Sequence, residues 1–496
     1  MFHTKLNIHR IHKWMGLVAA VWLLVLGLTG FLLDHRDTWR WLWQEGVAEK
    51  WIPGSVVEKS QATQIRLYQV NKHNPQQQVT GGMTGLWWTH NAGKTWQRTR
   101  FNNSNASPML SAVFFSDDNR LWIASDDGVW ISMDGGQSAT RSILPGYNVT
   151  ALSPGENTGK LIGITDRSNI FKYGVNKKEI NRLEFNSVNE KELPGKIDLS
   201  RFVRDIHYGR GVFKIPVSQL WNDITAISMI ILPLTGFLFY WLPKRWRRNT
   251  KLKKSVAHTV KKQTMRWLFR IHGPSFGMIA SIPLLYLAAS GILLDHATEL
   301  RQWMKSIDVT RSWQTPVYRF KSWEQELYGV ISYAKQPQKL SVATRLGLFT
   351  TLNAGADWQR ENVSGDNSLF VWTLRKFQDV VYIGGMGGPN YTKQGNQPWQ
   401  IVKGSGHMPT DITLDEKANV IWKSRHGVLS PGIKSTSNTK INLPATNYVP
   451  WFYLVDALHT GILFHPQWKW INDFIALLAI VLVFTGFIRW WRKKWI

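Results

Sequence analysis

Four apolar segments interrupt an otherwise polar chain, at residues 14–33, 220–242, 274–294 and 474–488. The first three are long enough to cross a hydrocarbon core of about 30 Å. The fourth is shorter, but tryptophans flank both of its ends, as they do at membrane interfaces. No small-residue cleavage site follows the first segment. The pattern therefore predicts four transmembrane helices, the first of them an uncleaved anchor.

The two long intervening segments consist of short apolar runs separated by turn residues, which is typical of β-strands. Three turns, at residues 89–96, 132–138 and 351–358, resemble the Asp-box hairpin, in which a glycine adopts positive φ and an Asn or Asp side chain closes the turn. Strand groups recur every 35–40 residues or so, near the blade spacing of β-propellers. They lie at 65–100, 107–145, 147–185, 325–360, 366–401 and 407–443.

Three blades cannot close a ring, because each blade buries its faces against its neighbours. We therefore expect one six-bladed β-propeller shared by both halves of the chain, with two open β-domains side by side as the alternative. The predicted fold class is a membrane α-helical bundle of four spans, arranged as a tandem parallel repeat, plus an all-β external domain.

The predicted boundaries follow from these patterns. They are 1–33 for the first span and its N-terminus, 34–219 for the first β half-domain, 220–242 for the second span, 243–273 for a basic loop, 274–294 for the third span, 295–471 for the second β half-domain, and 472–496 for the fourth span and the C-terminus.

The tandem repeat is visible in matched motifs. Arg10-Ile11-His12 precedes the first span and Arg270-Ile271-His272 the third, while Asp34-His35 and Asp295-His296 follow them. Before the second and fourth spans stand His207 and His459, and within these spans stand Thr235-Gly236-Phe237 and Thr485-Gly486-Phe487. Both copies run in the same direction across the membrane, so a pseudo-two-fold axis along the membrane normal is expected.

The net charge of +27 is concentrated at the ends of the spans. The connector 243–273 contains many Lys and Arg residues and neither Asp nor Glu, and both termini are basic. By the positive-inside rule these segments face the cytoplasm, and the two large segments face the periplasm of a bacterial inner membrane. The basic connector is read as a topology signal that can touch anionic lipid, with no nucleic-acid partner. The chain has no cysteine, which excludes disulfides, thiolate metal sites and cysteine-attached haem.

Six of the fourteen histidines occupy repeat-matched positions at the two membrane faces: His12 and His272, His35 and His296, and His207 and His459. Neutral imidazole is a suitable axial ligand for haem iron, and helical bundles commonly hold haem between facing helices. The alternative for each histidine is an interfacial or helix-capping role. The spacing is 23 residues from His12 to His35 and 24 from His272 to His296, so either a kink at Pro283 compensates or His35 and His296 are not equivalent. Asn222-Asp223 and Asn472-Asp473 are expected to cap their helices.

The stretches from His12-Lys13-Trp14-Met15-Gly16 to Thr29-Gly30, and from Leu458-His459-Thr460-Gly461 to Thr485-Gly486-Phe487, resemble the PepSY-associated transmembrane family. Its members include inner-membrane ferric-siderophore reductases. The resemblance implies haem b, with two groups expected; the histidines of the family carry over best onto His12, His272, His207 and His459, and His35 and His296 fit a family variant. We expect His12 and His272 to hold the haem on the cytoplasmic side, and His35, His296, His207 and His459 to supply the ligands on the outer side. The external propeller-like pattern replaces the PepSY domain, which leaves the substrate open.

These observations predict an oxidoreductase that passes electrons across the membrane to a periplasmic ferric chelate. No flavin or NAD motif is present, so the electrons are expected from quinol or from a membrane or cytoplasmic donor. Two alternatives remain open. One is a non-enzymatic membrane-anchored propeller that binds or senses a ligand for iron-chelate uptake, and the other is a quinol-linked b-type cytochrome for another periplasmic acceptor.

Overall fold

The computed structural model describes residues 7–102, 107–157, 159–209, 211–248, 258–319, 322–363, 369–386, 389–405, 408–415, 417–424, 427–429, 444 and 447–494. The α-helices are α1 (Ile8–Asp34), α2 (Trp41–Gln44), α3 (Gly54–Gln64), α4 (Leu199–His207), α5 (Ile215–Arg248), α6 (His258–Arg270), α7 (Met278–Asp295), α8 (Arg301–Ser306), α9 (Trp451–Thr460) and α10 (Lys469–Lys494). A π-helical segment, Ile271–Gly277, joins α6 to α7.

The strands are β1 (Gly46–Ala48), β2 (Ile65–Val70), β3 (Gln78–Gly82), β4 (Gly85–Thr89), β5 (Gln97–Arg98), β6 (Arg100–Phe101), β7 (Leu110–Phe115), β8 (Leu121–Ser125), β9 (Gly128–Ser132), β10 (Ser138–Ile143), β11 (Val149–Pro154), β12 (Lys160–Thr165), β13 (Asn169–Gly174), β14 (Glu179–Arg182), β15 (Lys196–Asp198), β16 (Asp308–Thr310), β17 (Leu327–Tyr333), β18 (Gln336–Thr344), β19 (Gly347–Thr351), β20 (Gln359–Arg360), β21 (Val371–Phe377), β22 (Val380–Gly385), β23 (Tyr391–Gln394), β24 (Gln400–Ile401), β25 (Asp411–Leu414), β26 (Val420–Ser424), β27 (Gly427–Leu429) and β28 (Tyr448–Pro450).

Four helices are long and apolar enough to cross a membrane: Ile8–Asp34, Pro216–Arg248, His258–Asp295 and Lys469–Trp491. This confirms the prediction of four membrane helices. Helices α1 and α5 approach closely at Gly27, where an added Cβ would lie 2.9 Å from the carbonyl oxygen of Ala226. A small residue is needed there because the two backbones nearly touch.

The helices extend beyond the predicted spans. The basic connector, predicted as a loop over 243–273, is helical at both described ends, since α5 continues to Arg248 and α6 begins at His258. Lys, Arg and Gln are good helix formers, and the second span continues as a helix through Pro243, the first residue of this stretch. The expected capping roles of Asn222-Asp223 and Asn472-Asp473 are wrong, because α5 begins at Ile215 and α10 at Lys469, so both dipeptides lie inside their helices.

The extra residue in the third span is accommodated by the π-helical segment, not by a kink at Pro283 as expected. A π-helical turn contains one residue more than an α-helical turn. The segment 271–277 therefore accommodates the one extra residue between His272 and His296. As a result, the histidines at the two ends of this span have the same relative orientation as those at the two ends of α1.

The remaining described chain forms a large β-sheet domain. Six antiparallel groups of strands fall within the predicted strand groups: β2–β5, β7–β10 (with β6 added in parallel), β11–β14, β17–β20, β21–β24 and β25–β27. The first strand of each group packs against the first strand of the next, and β25 packs against β2. The apolar core consists of several clusters, and each of these clusters lies between two neighbouring strand groups.

The last strand group is joined to the first through a buried carboxylate. Asp411 accepts hydrogen bonds from the backbone N–H of Tyr68 (3.1 Å) and the side chain of Gln69 (2.9 Å). Arg375, on the preceding group, also binds Asp411, at 2.8 Å. A buried carboxylate with this many donors is well compensated for the loss of water.

The three predicted Asp-box turns have the same internal hydrogen bonds. In the first, Thr89 donates to Asn91 at 2.7 Å, and the backbone N–H of Thr95 donates to Asn91 at 3.0 Å. The glycine of this turn, Gly93, has a φ of 82°. The equivalent bonds around Asp134 and Asn353 follow the same pattern.

Two short helices, α4 and α9, connect the β-domain to the spans. Strand β15 leads directly into α4 and pairs with β16, and β28 leads directly into α9 and pairs with β1. Helix α9 is fixed by an apolar cluster that contains Leu42, Trp43 and Tyr453. Helix α4 packs on an apolar cluster through Leu199 and Phe202 and is also held by ionic contacts.

The ionic contacts of α4 centre on Asp205, which is 4% exposed. Its Oδ2 accepts from the Tyr318 hydroxyl at 2.6 Å and lies 3.4 Å from Nη1 of Arg345, which is fully buried. Arg201 lies 3.5 Å from the same carboxylate, and Arg345 also pairs with Glu326 at 2.7 Å. Removing one partner from a buried charge network leaves the other charges uncompensated.

We therefore predict that Asp205→Ala destabilises the protein by about 3–5 kcal/mol, the range for an opened buried pair. Hydrogen exchange measured by mass spectrometry should speed up in residues 199–207 and remain unchanged in 451–460. Asp456→Ala, which removes the more exposed Lys59–Asp456 pair of α9 (2.7 Å), is the control and should cost less than about 1 kcal/mol. Equal effects of the two variants would contradict an anchoring role for Asp205.

Candidate functional site

Four histidines share one local arrangement, in which the ring Nδ1 is hydrogen-bonded to a Thr or Ser hydroxyl on a neighbouring span. The pairs are His12 with Thr485 (2.8 Å), His272 with Thr235 (2.9 Å), His459 with Thr29 (2.8 Å) and His207 with Ser290 (3.0 Å). Each hydroxyl thus fixes the orientation of one imidazole at a helix–helix contact.

The same hydroxyls determine which ring nitrogen carries the proton. Thr485 donates to the carbonyl of Val481 at 2.7 Å, and Thr235 and Thr29 donate to the carbonyls four residues before them at 2.7 and 2.6 Å. Ser290 donates to the carbonyl of Leu287 at 3.2 Å. A hydroxyl has a single proton to donate, so it can only accept from the imidazole. Each Nδ1 is therefore the N–H, and each Nε2 carries a lone pair.

A glycine follows each of these hydroxyl residues and lies against the imidazole it supports. A Cβ added at Gly486 would lie 3.4 Å from Cε1 of His12, and one added at Gly236 would lie 3.4 Å from Cε1 of His272. The corresponding distances are 3.6 Å from Gly30 to His459 and 3.5 Å from Gly291 to His207. The absence of a side chain lets each ring lie directly on the neighbouring helix.

His12 and His272 face each other. Their ring centroids are 6.2 Å apart and their planes are at 88°. Both Nδ1 atoms are bonded to hydroxyls on other helices. The two Nε2 lone pairs are therefore the free coordinating groups of this pair.

His207 and His459 form the second pair, and they lie on α4 and α9, outside the four candidate spans. Burial and, to a lesser extent, the nearby imidazole of His459 lower the pKa of His207 to about 4. Burial also lowers the pKa of His459, against the opposing effect of Asp456. Both rings are therefore neutral at physiological pH, which is the form that binds metal ions.

The supporting bonds divide the helices into two sets. One set is α1, α9 and α10, in which His12 is held by the fourth span and His459 by the first. The other set is α4, α5 and the third span, in which His272 is held by the second span and His207 by the third. Each histidine pair therefore takes one imidazole from each set.

The two pairs lie far apart along the membrane normal. Thr29, which holds His459, is 17 residues after His12 in the same helix α1. At 1.5 Å per residue this separation is about 25 Å, most of the thickness of a hydrocarbon core. One pair thus lies near each face of the bundle.

His35 and His296 are placed differently from the other four sequence-predicted histidines. Nε2 of His35 binds Asp223 at 3.2 Å, and Nδ1 accepts from Gln219 at 3.2 Å. Nε2 of His296 binds Asp473 at 2.8 Å. In both residues the ring nitrogen Nε2 binds a carboxylate. The structure therefore does not bring His35 or His296 together with another histidine.

The residues that sequence reasoning missed are the four hydroxyls and their glycines. The signal was present as the dipeptides Thr29-Gly30, Thr235-Gly236, Ser290-Gly291 and Thr485-Gly486, which were used only to align the repeats. Among the other histidines, His407 and His426 lie outside the described residues. Within the described part of the chain, no group of three or more His, Asp or Glu residues converges in a way that could hold a metal ion.

Among solved structures, the chain is similar to an ancestral GH74 enzyme, with 11% identity over 77% of this chain and a TM-score of 0.35. It spans only 37% of that enzyme's length. It is also similar to YCF48 from Cyanidioschyzon merolae (12% identity, 74% of this chain and 92% of that chain, TM-score 0.29) and to the designed protein Ika8 (8% identity, 74% and 82%, TM-score 0.33).

No curated protein matches the chain. One family model does, that of the PepSY-associated TM region, and it matches residues 9–493. The match includes all four candidate spans, both histidine pairs and the hydroxyls that support them. This membrane protein therefore belongs to the PepSY-associated transmembrane family.

Proposed function

We propose that the protein holds two b-type haems between paired histidines and transfers electrons across a bacterial inner membrane to a periplasmic ferric chelate. The observation that carries the proposal is the opposed arrangement of His12 and His272, with ring centroids 6.2 Å apart. The identity of the chelate and that of the electron donor are not part of the proposal.

The spacing of this pair is that of two imidazoles on opposite sides of one metal ion. A metal–imidazole bond is about 2 Å long and the bonded nitrogen lies about 1 Å from the ring centroid, so two rings sharing one iron have centroids about 6 Å apart. His12 and His272 would hold the haem iron between them through their Nε2 lone pairs. The donor set thus fits a haem, for which neutral imidazoles are suitable ligands.

The second haem is assigned to His207 and His459, on the opposite face of the bundle. These imidazoles are neutral, and their Nδ1 atoms are bonded to hydroxyls in the same way. His35 and His296 are left out of the ligand set, because binding iron would break their bonds to Asp223 and Asp473. The six predicted histidines are thereby reduced to four.

Haem supplies a one-electron carrier at each face when bound. The protein's own contribution is to hold both axial imidazoles in one tautomer, to exclude water with the surrounding helices, and to separate the two sites by about 25 Å along α1. One electron delivered at the outer site converts Fe³⁺ in a chelate to Fe²⁺, which chelators selective for Fe³⁺ hold less tightly. Quinol, or another membrane or cytoplasmic donor, supplies the electrons.

The orientation follows from the basic ends of α5 and α6. Both termini and this connector face the cytoplasm, and the β-domain faces the periplasm. We also propose that the six strand groups form the blades of one propeller built by a tandem repeat. Supporting this, β25 packs against β2, and Asp411 binds residues of the first group.

We predict that His12→Ala and His272→Ala each remove one haem, and that the double variant loses no more than either single variant, because both residues bind the same iron. His207→Ala and His459→Ala should each remove the other haem. Haem content per protein, measured by the pyridine haemochrome method, checks this. His35→Ala and His296→Ala are the matched controls and should keep both haems.

The outcomes separate the proposal from its alternatives. A colourless protein purified from haem-replete cells would favour a non-enzymatic binding or sensing module. A red protein whose reduced form is not reoxidised by ferric chelates, but is reoxidised by another periplasmic acceptor, would favour a cytochrome of different function. Rapid reoxidation by ferric chelates, followed at the Soret band, supports the reductase.

We also predict that Thr485→Val and Thr235→Val keep the haem but raise its reduction potential. An imidazole that loses the acceptor for its Nδ1–H becomes a weaker donor to ferric iron. A hydrogen bond worth about 1 kcal/mol corresponds to about 40 mV for a one-electron couple. Redox titration of the Soret band measures the change.

Thr225→Val is the control for this experiment. Thr225 is fully buried in α5 and donates to the carbonyl of Trp221 at 2.9 Å, as the other threonines donate to their own helices. In the described part of the chain no hydrogen bond joins it to a histidine. An equal shift in Thr225→Val would show that the effect comes from the helix and not from the imidazole.

A further inference from the structure

The connectors between the spans and the β-domain carry four exposed tryptophans in two matched pairs. Trp41 on α2 and Trp51 after β1 follow the first span, and Trp303 on α8 and Trp313 after β16 follow the third. Trp51 and Trp313 are 73% and 80% exposed, although tryptophan usually buries most of its surface. Each lies five residues after the first residue of its strand, β1 or β16.

The height of these strands above the membrane follows from helix geometry. Strand β1 pairs with β28, which leads into α9, and α9 packs along α1. His459 is eight residues after Trp451, the first residue of α9, which corresponds to a rise of about 12 Å. Thr29, which holds His459, is five residues before Asp34, the last residue of α1, which corresponds to a rise of about 8 Å. The start of α9, and with it β1, therefore lies about 4–5 Å beyond the end of α1.

The other half gives the same result. Strand β16 pairs with β15, which leads into α4, and α4 packs along α7. His207 is eight residues after Leu199, the first residue of α4, and Ser290, which holds His207, is five residues before Asp295. The headgroup layer is about 5–8 Å thick on each side of the hydrocarbon core. Both strand pairs thus lie at its level.

We propose that Trp51 and Trp313 dock the base of the β-domain into the headgroup layer of the membrane that the spans cross. Tryptophan favours this layer because its ring is apolar and its N–H is polar. A cation adjoins the first of these rings, since Lys50 lies 5.4 Å from the Trp51 ring centroid. Lipid phosphate groups are the anions available at this level.

The lack of cysteine makes the test direct. Trp51→Cys and Trp313→Cys each introduce a single thiol for a nitroxide spin label, in the full-length protein reconstituted in lipid nanodiscs. Collisions with molecular oxygen, which partitions into lipid, and with a water-soluble nickel chelate are then measured by electron paramagnetic resonance. The labels should be several-fold less accessible to the nickel chelate than control labels, and more accessible to oxygen.

Met133→Cys and Leu352→Cys are the controls, because both side chains are exposed and lie at the far ends of their sheets. Met133 follows β9 and Leu352 follows β19, and the opposite end of each strand lies on the side of the spans. At that end Asp126, before β9, pairs with Arg40, and Arg345, before β19, contacts Asp205 of α4. If replacing a tryptophan prevents folding, labels at Lys50→Cys and Ser312→Cys, which are exposed neighbours, report on the same surface.

Two results would overturn the proposal. Labels at 51 and 313 that are as accessible to the nickel chelate as the control labels would place these positions in water. Immobile labels that are shielded from both oxygen and the nickel chelate would indicate a protein–protein interface in place of lipid. The haem content of the variants bears on neither result, so this test is independent of the proposed electron transfer.

Discussion

The hydrogen bond between an imidazole Nδ1 and a hydroxyl of the neighbouring helix is the interaction on which the bundle depends. It occurs four times, and each occurrence joins two different helices. The hydroxyl donates its proton along its own helix, so the imidazole must donate to it. One small side chain therefore fixes the packing of two helices, the orientation of a ring and the position of its proton.

A neutral partner suits this position better than a carboxylate would. A carboxylate inside the bundle would carry a charge that is costly in low dielectric and would favour protonation of the imidazole. Carboxylate partners occur where His35 and His296 bind Asp223 and Asp473, at the ends of the spans near water. The choice of hydroxyl or carboxylate thus follows the depth of each histidine in the membrane.

The architecture was largely predictable from sequence because hydropathy and strand periodicity are properties of long segments. The four spans and the strand groups depend on many residues each, so no single residue could mislead the prediction. The helix ends were less predictable, because α5 begins at Ile215 with Pro216 in its first turn, where proline is tolerated, and continues through Pro243 to Arg248. The π-helical segment was missed since a one-residue insertion has no local signature, and Pro283 was the more conspicuous candidate.

The site itself was predicted only as a list of histidines. The repeat identified six matched positions, but which nitrogen of each ring is free depends on contacts between residues more than 400 positions apart, such as His12 with Thr485 and Thr29 with His459. Such contacts follow from the packing order of the spans, which hydropathy does not specify. The Thr-Gly and Ser-Gly dipeptides were visible, but their role could only be recognised once the rings lay against them.

The two halves of the chain are joined at three levels. At the end of the spans that carries His12 and His272, the first span is joined to the fourth and the second to the third. Towards the β-domain, α9 is joined to the first span and α4 to the third. Beyond the spans, β1 pairs with β28 and β15 with β16, which joins the same partners again. Because each histidine pair takes one ring from each set of helices, a metal shared by a pair would add a contact between the sets to the close packing of α1 on α5, and the distance between the two pairs would be fixed by the rise of α1 from His12 to Thr29.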